Sequence, residues 1–463
     1  MERCGAQAAC APHCDRMMPI AKWNAVATVC IIAKSFGYKR RCTPLPRNVS
    51  KREATVIGAG VVGLSAALQL LRRNFSVDVI DELPAGEGAS FGNSGFLVAD
   101  TAMPTSLPGV MWKIPRWLAD PVGPFALDAA YVPRALPWLL RFVMASAQSQ
   151  VFKSSKALRE LHTSTFEHWL DMVGPETFDK LIRRNGQIYV WEGEHASPTA
   201  GFEDLLRRRL GIEFEILGQD RIRQMLPGIS PTIFKGLYIP GNGHTVNPGK
   251  LVKALAERVL EEGGRLIHER VLKLMPHEGE EWMLFTNVAN RFSSNVIIAG
   301  GAWSNRLLGP CGLSVPLETE RGYHTLLPSP SIRLDYPILH KSGLFGVNSM
   351  EMGLRLAGTV EIAGLDAPPT ERRARHLVTL ARRLFPDIEF GEPSFWLGHR
   401  PSLPDSLPVI GAFRGKPGLY GCFGHGHAGL TGGPASGHLV AQLVAGERPT
   451  IDPTPYSPAR FGR

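Results

Sequence analysis

The chain has 463 residues, of which 44% are hydrophobic and 20% charged, with 49 Gly and 37 Pro. This composition excludes a small disulfide scaffold and a wholly disordered protein, and it predicts a globular protein of about two or three domains. The formal net charge is +9, but residues 1–50 contribute +6 and leave +3 for the rest. Long-range attraction of nucleic acid is therefore not predicted for the body of the chain.

Residues 1–52 read as a basic, Cys-containing leader that is disordered or not native to the protein. Five of the seven cysteines lie in it, and the body keeps only Cys311 and Cys422. This distribution excludes a disulfide framework and indicates a reducing compartment, so a cytoplasmic location is predicted. The longest early apolar stretch, residues 25–33, is too short to span a membrane. No convincing amphipathic anchor appears in the sequence, and no metal site is predicted.

A glycine-rich motif follows the leader. Residues 54–71 begin with a β-branched run, continue with the turn Gly58-Ala-Gly60-Val-Val-Gly63 and end with an apolar pattern of helical period. This order predicts a strand, a phosphate-binding turn and a helix. Gly58 allows the tight turn, Gly60 the approach of a pyrophosphate, and Gly63 close packing of helix on strand. The next strand ends at Asp81, whose carboxylate can accept bonds from the ribose hydroxyls of NAD or FAD. The alternative is a glycine-rich helix start used only for packing.

The middle of the chain is predicted from periodicity and turn residues. Residues 100–150, rich in Pro and Trp, predict an irregular stretch with short helices. Asn247 and Pro248 predict the N-cap and first residue of a helix. The remaining predictions before residue 250 are helices at 151–173 and 201–225 and strands at Gly186–Trp191 and Lys235–Ile239.

The last third of the chain continues the alternation of strands and helices. Residues 295–304 form an apolar run that ends at glycines, which predicts a buried parallel strand. Short strands over 320–360 predict an antiparallel sheet. A helix is predicted at about 370–384, a strand near Phe395–Leu397, and a last helix from Thr431 to Ala445 that Gly446 ends. Together these elements predict an α/β fold.

Several motifs taken in order resemble one family. They are Val56–Gly63, Val79–Asp81, Ala89–Gly95, Ile298–Ser304, Arg321–His324, Gly353–Arg355, Gly358–Glu361, Gly398–Gly411 and Gly424–Gly429. The set resembles the FAD-dependent amine and amino-acid oxidoreductases of the D-amino-acid oxidase and glycine oxidase superfamily, and most closely the bacterial D-amino-acid dehydrogenases. A D-proline or D-hydroxyproline type of member is one option within that group.

The resemblance implies a discontinuous Rossmann-like FAD-binding domain interleaved with an α+β substrate domain that contains an antiparallel sheet. The implied boundaries are 53–105, 243–316 and 395–455 for the FAD domain, 106–242 and 317–394 for the substrate domain, and 456–463 for a tail.

The resemblance also implies catalytic residues. Arg400 matches the arginine that binds the substrate carboxylate, and a guanidinium suits a planar anion. His399 departs from the Leu or Phe that the family carries at that position. Tyr323 and His324 lie where the family places polar groups toward the substrate, with packing on the sheet as the alternative for Tyr323.

Two further residues are weaker substrate-binding candidates. Arg355 lies in a family motif, but with Glu361 it could equally form a cross-strand ion pair. His244 lies near a predicted helix start, where a loop or cap role is the simpler interpretation.

The glycine-rich loop Gly424–Gly429, which precedes the last predicted helix, indicates FAD rather than NAD. Its backbone N–H groups before a helix suit the electron-rich N1–C2=O edge of a flavin. A metal site at His425 and His427 is not predicted, because no carboxylate or cysteine accompanies them. The predicted FAD-binding residues are Gly58, Ala59, Gly60, Val61, Val62, Gly63, Asp81, Glu82, Asn93, Ser94, Gly95, Val271, Gly300, Trp303, His425, Gly426, Gly429 and Leu430.

By the resemblance, the protein oxidises D-amino acids to imines that water hydrolyses to a 2-oxo acid and ammonia, or to a cyclic imine from proline or hydroxyproline. The alternatives are a glycine- or sarcosine-type amine oxidase or demethylase, a nucleic-acid-binding protein, and a non-catalytic flavin-bound subunit. The predicted partners are a small amino acid and a respiratory-chain or quinone electron acceptor, without nucleic acid. A partner subunit and peripheral contact with the inner face of the plasma membrane stay open.

Overall fold

A computed structural model describes residues 52–195 and 201–462. The leader predicted at residues 1–52 lies outside the described residues, except for Arg52, which begins the first strand. None of the described helices is long and apolar enough to cross a membrane.

The described strands are β1 (Arg52–Ile57), β2 (Phe75–Asp81), β3 (Phe96–Leu97), β4 (Phe125–Leu127), β5 (Ile182–Arg183), β6 (Gln187–Glu192), β7 (Glu215–Leu217), β8 (Ile233–Ile239), β9 (Gly243–Thr245), β10 (Arg265–His268), β11 (Val271–Pro276), β12 (Trp282–Thr286), β13 (Asn290–Ser293), β14 (Val296–Ile298), β15 (Glu318–Leu327), β16 (Ile338–His340), β17 (Phe345–Met350), β18 (Gly353–Ile362), β19 (Ser394–Ser402), β20 (Val409–Ala412) and β21 (Leu419–Phe423).

The described α-helices are α1 (Val61–Leu71), α2 (Val110–Ala119), α3 (Val132–Ala145), α4 (Gln148–His162), α5 (Thr165–Leu181), α6 (Phe202–Arg209), α7 (Gln219–Met225), α8 (Pro248–Glu261), α9 (Ser304–Leu308), α10 (Glu371–Leu384) and α11 (Gly429–Ala445).

A six-stranded sheet carries the glycine-rich motif. Its strand order is β10-β2-β1-β14-β21-β20, parallel except for the edge strand β20. β14 is a continuous apolar run and the last four residues of β1 are buried, as expected where helices cover both sides of a parallel sheet. Helices α1, α8 and α11 supply much of the adjoining core. The predicted strand–turn–helix, the N-cap at Asn247, whose Oδ1 accepts from the Lys250 amide at 3.0 Å, and the helix end at Gly446 are all present.

A nine-stranded sheet forms the second layer. Its main path is β19-β15-β18-β17-β16-β6-β8-β7, with β4 added beside β18. All pairs are antiparallel except β16 with β6 and β18 with β4. The antiparallel sheet predicted for residues 320–360 is therefore confirmed. Two smaller sheets, β11-β12-β13 and β3-β9-β5, complete the α/β fold.

Two segments depart from the predicted domain boundaries. The strand predicted near residue 395 is β19, which pairs with β15 of the nine-stranded sheet although it was placed in the FAD domain. Helices α4 and α5, placed in the substrate domain, bury Leu161, Trp169 and Met172 in the core beside the six-stranded sheet. Periodicity reports which face of an element is apolar but not which partner covers it, and this explains both differences. The tail packs as well, since Tyr456 is fully buried and donates to the Ala157 carbonyl at 2.6 Å.

Helices α2 and α3 leave large apolar side chains exposed. No residue of α2 is buried, and Trp112 is 80% exposed. On α3, Leu136, Leu140 and Met144 are exposed as well. Each helix carries two basic residues and no acidic one. This surface is not predicted from the sequence, because Pro115 and Pro137 interrupt the helical pattern.

Candidate functional site

One large cavity runs between the two principal sheets. Its volume is about 1420 Å³, and its lining extends from Gly58 at the end of β1 to Arg400 on β19. Typical small-molecule sites measure about 300–1,000 Å³. The cavity is therefore large enough for a dinucleotide together with a small substrate.

The turn between β1 and α1 is built for close approach. Gly58 has a φ of +117°, and a Cβ there would lie 2.4 Å from the Ala299 carbonyl oxygen. A Cβ on Gly63 would lie 1.9 Å from the Gly58 oxygen, so the helix packs on the turn as predicted. Helix α1 has no side-chain cap of its own at Gly60, although the Val61 amide donates to Ser90 Oγ at 3.1 Å. This uncapped N-terminus faces the cavity and suits a pyrophosphate.

Asp81 lies beside this turn at the end of β2. Its Oδ2 accepts from the Ala59 amide at 2.7 Å, and its Oδ1 accepts from the Leu83 amide at 2.9 Å. Two backbone donors therefore fix the carboxylate at the cavity wall. Each carboxylate oxygen can still accept from a ribose hydroxyl, because carboxylates offer about four acceptor positions.

The loop before α11 forms the other end of the cofactor region. Gly424 and Gly426 have positive φ values of 91° and 52°, and the Gly426 amide donates to the Pro401 carbonyl at 2.8 Å. His425 Nε2 lies 2.8 Å from Ser436 Oγ on α11. Burial lowers the pKa of His425 to about 3, so the ring is neutral at physiological pH. The helix N-terminus, rather than a charged histidine, supplies the positive field here.

The residues at both ends fit FAD. The turn Gly58–Gly63, where a Cβ would clash with the backbone, would hold the pyrophosphate, and the fixed carboxylate of Asp81 would hold the ribose. The N-terminus of α11 lies at the far end of the cavity. Of the predicted FAD-binding residues, only Ala59, Gly63 and Gly95 do not line the cavity, and these three shape the turns beside it.

Arg400 occupies the substrate end of the cavity. Its guanidinium lies over Gly322 of β15, where a Cβ would be 2.0 Å from Arg400 Cζ. Its Nη1 donates to the Thr359 carbonyl at 3.1 Å. Burial lowers the pKa of Arg400, and the nearby Glu320 carboxylate opposes that shift. The remaining N–H groups can receive a carboxylate in a bidentate arrangement.

Glu320 balances the charge beside this arginine. It is 4% exposed, and its Oε1 accepts from Ser402 Oγ at 2.7 Å. Burial raises its pKa, while the Ser402 bond and Arg400 lower it. The second oxygen lies 3.6 Å from His427 Nε2, and the pKa of His427 is lowered by burial and by Arg400. At the substrate end, the Arg400 guanidinium therefore has the buried carboxylate of Glu320 beside it.

Comparison with known proteins decides the family. Residues 53–443 match the profile of the DAO family, described as FAD dependent oxidoreductase. This protein belongs to the DAO family. The predicted cofactor and reaction class, an FAD-dependent oxidoreductase, are thereby confirmed.

Individual DAO-family relatives match along almost their whole length. The D-amino-acid oxidase of Bradyrhizobium diazoefficiens is 36% identical over 422 residues, which cover 89% of this chain and 99% of that protein. The D-amino acid dehydrogenase of Vibrio vulnificus (strain CMCP6) is 26% identical over 405 residues, which cover 86% of this chain and 96% of that protein.

Solved structures confirm the fold. Glycine oxidase from Geobacillus kaustophilus superposes with a TM-score of 0.67 at 23% identity, covering 88% of this chain and 98% of that one. L-proline dehydrogenase from P. horikoshii superposes with a TM-score of 0.69 at 19% identity, and the match covers 89% of this chain and 98% of that one.

Tyr323 lines the cavity of this DAO-family structure, and two partners hold its hydroxyl. The hydroxyl donates to Glu361 Oε2 at 2.6 Å and accepts from the Thr370 amide at 2.8 Å. The predicted substrate-binding role stays a prediction, beside the packing alternative. The cross-strand ion pair of Glu361 is made by Arg321, at 3.5 Å, and not by Arg355.

His324, Arg355 and His244 do not line the cavity. His324 stacks on Trp396, its Nδ1 lies 3.0 Å from the Gly92 oxygen, and burial lowers its pKa to about 3. Arg355 donates to the Phe91 and Asn93 carbonyls, at 3.2 and 2.7 Å. Burial lowers the pKa of His244 to about 4. Through these contacts His324 and Arg355 hold the loop that carries Asn93 and Ser94 against the sheet, and the substrate-binding roles predicted for the three residues stay predictions.

Three residues of the substrate end were missed at the sequence level: Glu320, Gly322 and Thr359. Period-two alternation places Glu320 and Gly322 on one face of β15, and that signal could have found them. Thr359 has a φ of +57°, which is rare for a β-branched residue, at the irregularity where β18 pairs with β15. The unusual backbone directs its carbonyl toward Arg400. The non-family residue His399 packs against Trp303, with ring centroids 5.2 Å apart.

The fixed carboxylate of Asp81 leads to a prediction about FAD affinity. We expect Asp81→Ala to weaken FAD binding by at least about tenfold, because hydrogen bonds to charged groups contribute about 1.5–3 kcal/mol. Titration of the apoprotein with FAD, followed by flavin fluorescence, measures the change. Asp78→Ala is the matched control, since Asp78 lies on the same strand but pairs with Arg265 outside the cavity. Equal affinities for both variants would contradict the assignment.

Proposed function

We propose that this DAO-family enzyme oxidises the Cα–N bond of small D-amino acids. The observation that carries the proposal is Arg400, whose guanidinium stands over Gly322 in the cavity that also contains the dinucleotide cradle. The names of the two relatives, a D-amino-acid oxidase and a D-amino acid dehydrogenase, support D-amino acids as the substrate class.

FAD, when bound, supplies the acceptor for the hydride that leaves Cα. The protein supplies orientation: Arg400 binds the substrate carboxylate and thereby fixes the position of Cα. The positive charge of Arg400 favours the neutral over the protonated amine. Loss of the Cα hydride from the neutral amine gives the protonated imine, C=NH2⁺, which water hydrolyses to the 2-oxo acid and ammonium. No side-chain base is needed for this sequence.

An anaerobic half-reaction tests the proposal. The FAD-loaded chain is mixed without oxygen with D-alanine, D-proline, L-alanine, L-proline, glycine or sarcosine, and the flavin absorbance is followed. Bleaching by the D-isomers, with much slower bleaching by the L-isomers, is the expected result. Preferential bleaching by glycine or sarcosine would favour the amine oxidase or demethylase alternative. A flavin that no amine reduces would favour a non-catalytic flavin-bound subunit.

We also propose that electrons pass from the flavin to a quinone of the respiratory chain, and that the protein contacts the cytoplasmic face of the membrane peripherally. The exposed side chains of α2 and α3 favour this, because both helices combine apolar surface with basic residues and lack acidic ones. Such a surface complements an anionic bilayer. Lys113, Ile114 and Trp117 of α2 also line the cavity, so this surface adjoins the path to the flavin.

The membrane contact makes a measurable prediction. We expect Trp112→Glu to lower binding to phosphatidylcholine vesicles containing phosphatidylglycerol by at least about tenfold, because it replaces an interfacial aromatic by an anion. Vesicle flotation measures the bound fraction. Val288→Glu is the matched control, since Val288 is 69% exposed on the turn between β12 and β13. A wild-type chain that does not float with these vesicles would contradict the contact.

A further inference from the structure

At the substrate end, one face of the nine-stranded sheet forms the cavity floor. This floor consists of small residues that lie between two larger side chains, Arg400 and Phe96. Arg400 covers Gly322 of β15, and the ring of Phe96 covers Gly346 of β17, where a Cβ would lie 2.6 Å from Phe96 Cζ. Between them, β18 contributes Ala357 to the lining. This arrangement leaves a compartment with a cation at one end and an aromatic ring at the other.

Arg400 and Phe96 lie on the same face of the nine-stranded sheet. Gly346 lies opposite Ala357, and Ala357 lies opposite His324. Residues directly opposite in an antiparallel sheet share a face, and Gly322, two residues before His324, points the same way. Phe96 is partly buried, and its own strand β3 pairs with β9 outside this sheet, so the ring reaches the floor from above.

Strand geometry gives the length of the compartment. Two strand spacings and an offset of two residues separate Gly322 from Gly346, so the two glycines that carry the guanidinium and the ring are about 12 Å apart. A bidentate carboxylate takes about 4 Å of this span at Arg400. Contact with the ring takes about 4 Å more at the other end. The remaining length accommodates Cα, Cβ and Cγ but not a phenyl group or a long cationic chain.

A second compartment lies beyond Phe96. The strand after β17 is β16, and its Leu339 lines the cavity together with Tyr189 and Trp191 of β6. Lys341 closes this side, with its Nζ 2.9 Å from Glu203 Oε2. The cavity therefore continues past the ring, and Phe96 stands between the carboxylate site and mainly aromatic and aliphatic surface.

We propose that Phe96 sets the upper limit on substrate side-chain size. The wild-type enzyme accepts alanine, valine and proline side chains and discriminates against phenylalanine, because the ring on Gly346 occupies the space that a larger side chain needs. The proposal rests on the proposed function and deepens it: the substrates are D-amino acids whose side chains end near Cγ. Phe96 is a specificity residue and takes no part in the hydride step.

The test compares substrate ratios in the FAD-loaded full-length chain. Anaerobic stopped-flow measurements give the second-order rate constants of flavin reduction by D-alanine, D-valine and D-phenylalanine. We expect Phe96→Ala to raise the D-phenylalanine to D-alanine ratio by at least about tenfold, since shape changes of this size in an apolar pocket alter selectivity by about 10–200-fold. Phe96→Leu, which keeps apolar contact on Gly346, should give an intermediate ratio and carries the test if the alanine variant loses FAD.

Phe395→Ala is the matched control. Phe395 precedes Trp396 on β19 but lies on the opposite face, where Arg375 of α10 stacks on it at 4.8 Å. Its removal should leave the substrate ratio unchanged. The proposal is overturned if wild type uses D-phenylalanine as fast as D-alanine, or if the Phe96 variants keep the wild-type ratio. If no D-amino acid reduces the wild-type flavin, the proposed function itself fails, which is a separate result.

Discussion

Arg400→Ala is expected to lower the second-order rate constant of flavin reduction by D-alanine by about thirty- to several-thousand-fold. Removing one partner of a buried charge pair costs about 2–5 kcal/mol, and the bidentate contact with the carboxylate would be lost entirely. The loss should appear mainly as weaker substrate binding, because Arg400 acts on the carboxylate and not on the bond that breaks. Anaerobic stopped-flow reduction at several substrate concentrations separates binding from the rate of reduction.

Arg400→Lys is the conservative comparison. Lysine keeps the charge but not the planar fork, so an intermediate loss is expected. The FAD content of both variants should match wild type, since contacts with Ala299, Ala59 and Leu83, and not with Arg400, hold Gly58 and Asp81 in place. Two results would contradict the assignment: wild-type reduction rates in Arg400→Ala, or loss of flavin together with activity.

The sequence predicts the cofactor half of the site better than the substrate half. The turn at Gly58, the carboxylate at Asp81 and the glycine loop at Gly424 belong to short continuous motifs, in which local backbone geometry dictates the residue type. Such motifs are readable without the tertiary structure. This is why nearly all of the predicted FAD-binding residues line the cavity.

The substrate half depends on which strand lies beside which. Tyr323 and His324 are neighbours of Gly322 in sequence, but Tyr323 hydrogen-bonds to Glu361 and His324 stacks on Trp396. Only the pairing of β15 with β19 and β18 shows that Gly322 lies beneath Arg400. Phe96 reaches this floor from a separate small sheet. Neither pairing is encoded in a local pattern, so neither could be predicted from one sequence.

Gly322→Ala tests whether this floor positions Arg400. The new Cβ would lie 2.0 Å from Arg400 Cζ, so the guanidinium must leave its place over β15. A misplacement of about 1 Å can cost about a hundredfold in rate, and we expect a comparable fall in the rate constant for D-alanine, with FAD retained. Reduction kinetics together with flavin stoichiometry and Tm measure these effects.

A double-mutant cycle separates this mechanism from general damage to the sheet. If the alanine at position 322 acts by displacing the guanidinium, Gly322→Ala should have little further effect in the Arg400→Ala background, because no long side chain remains to be displaced. If it acts by distorting β15, its effect should be the same in both backgrounds. Strong coupling would establish that the missing side chain of Gly322 is what allows Arg400 to reach the carboxylate, whereas additivity would contradict the geometry proposed for substrate binding.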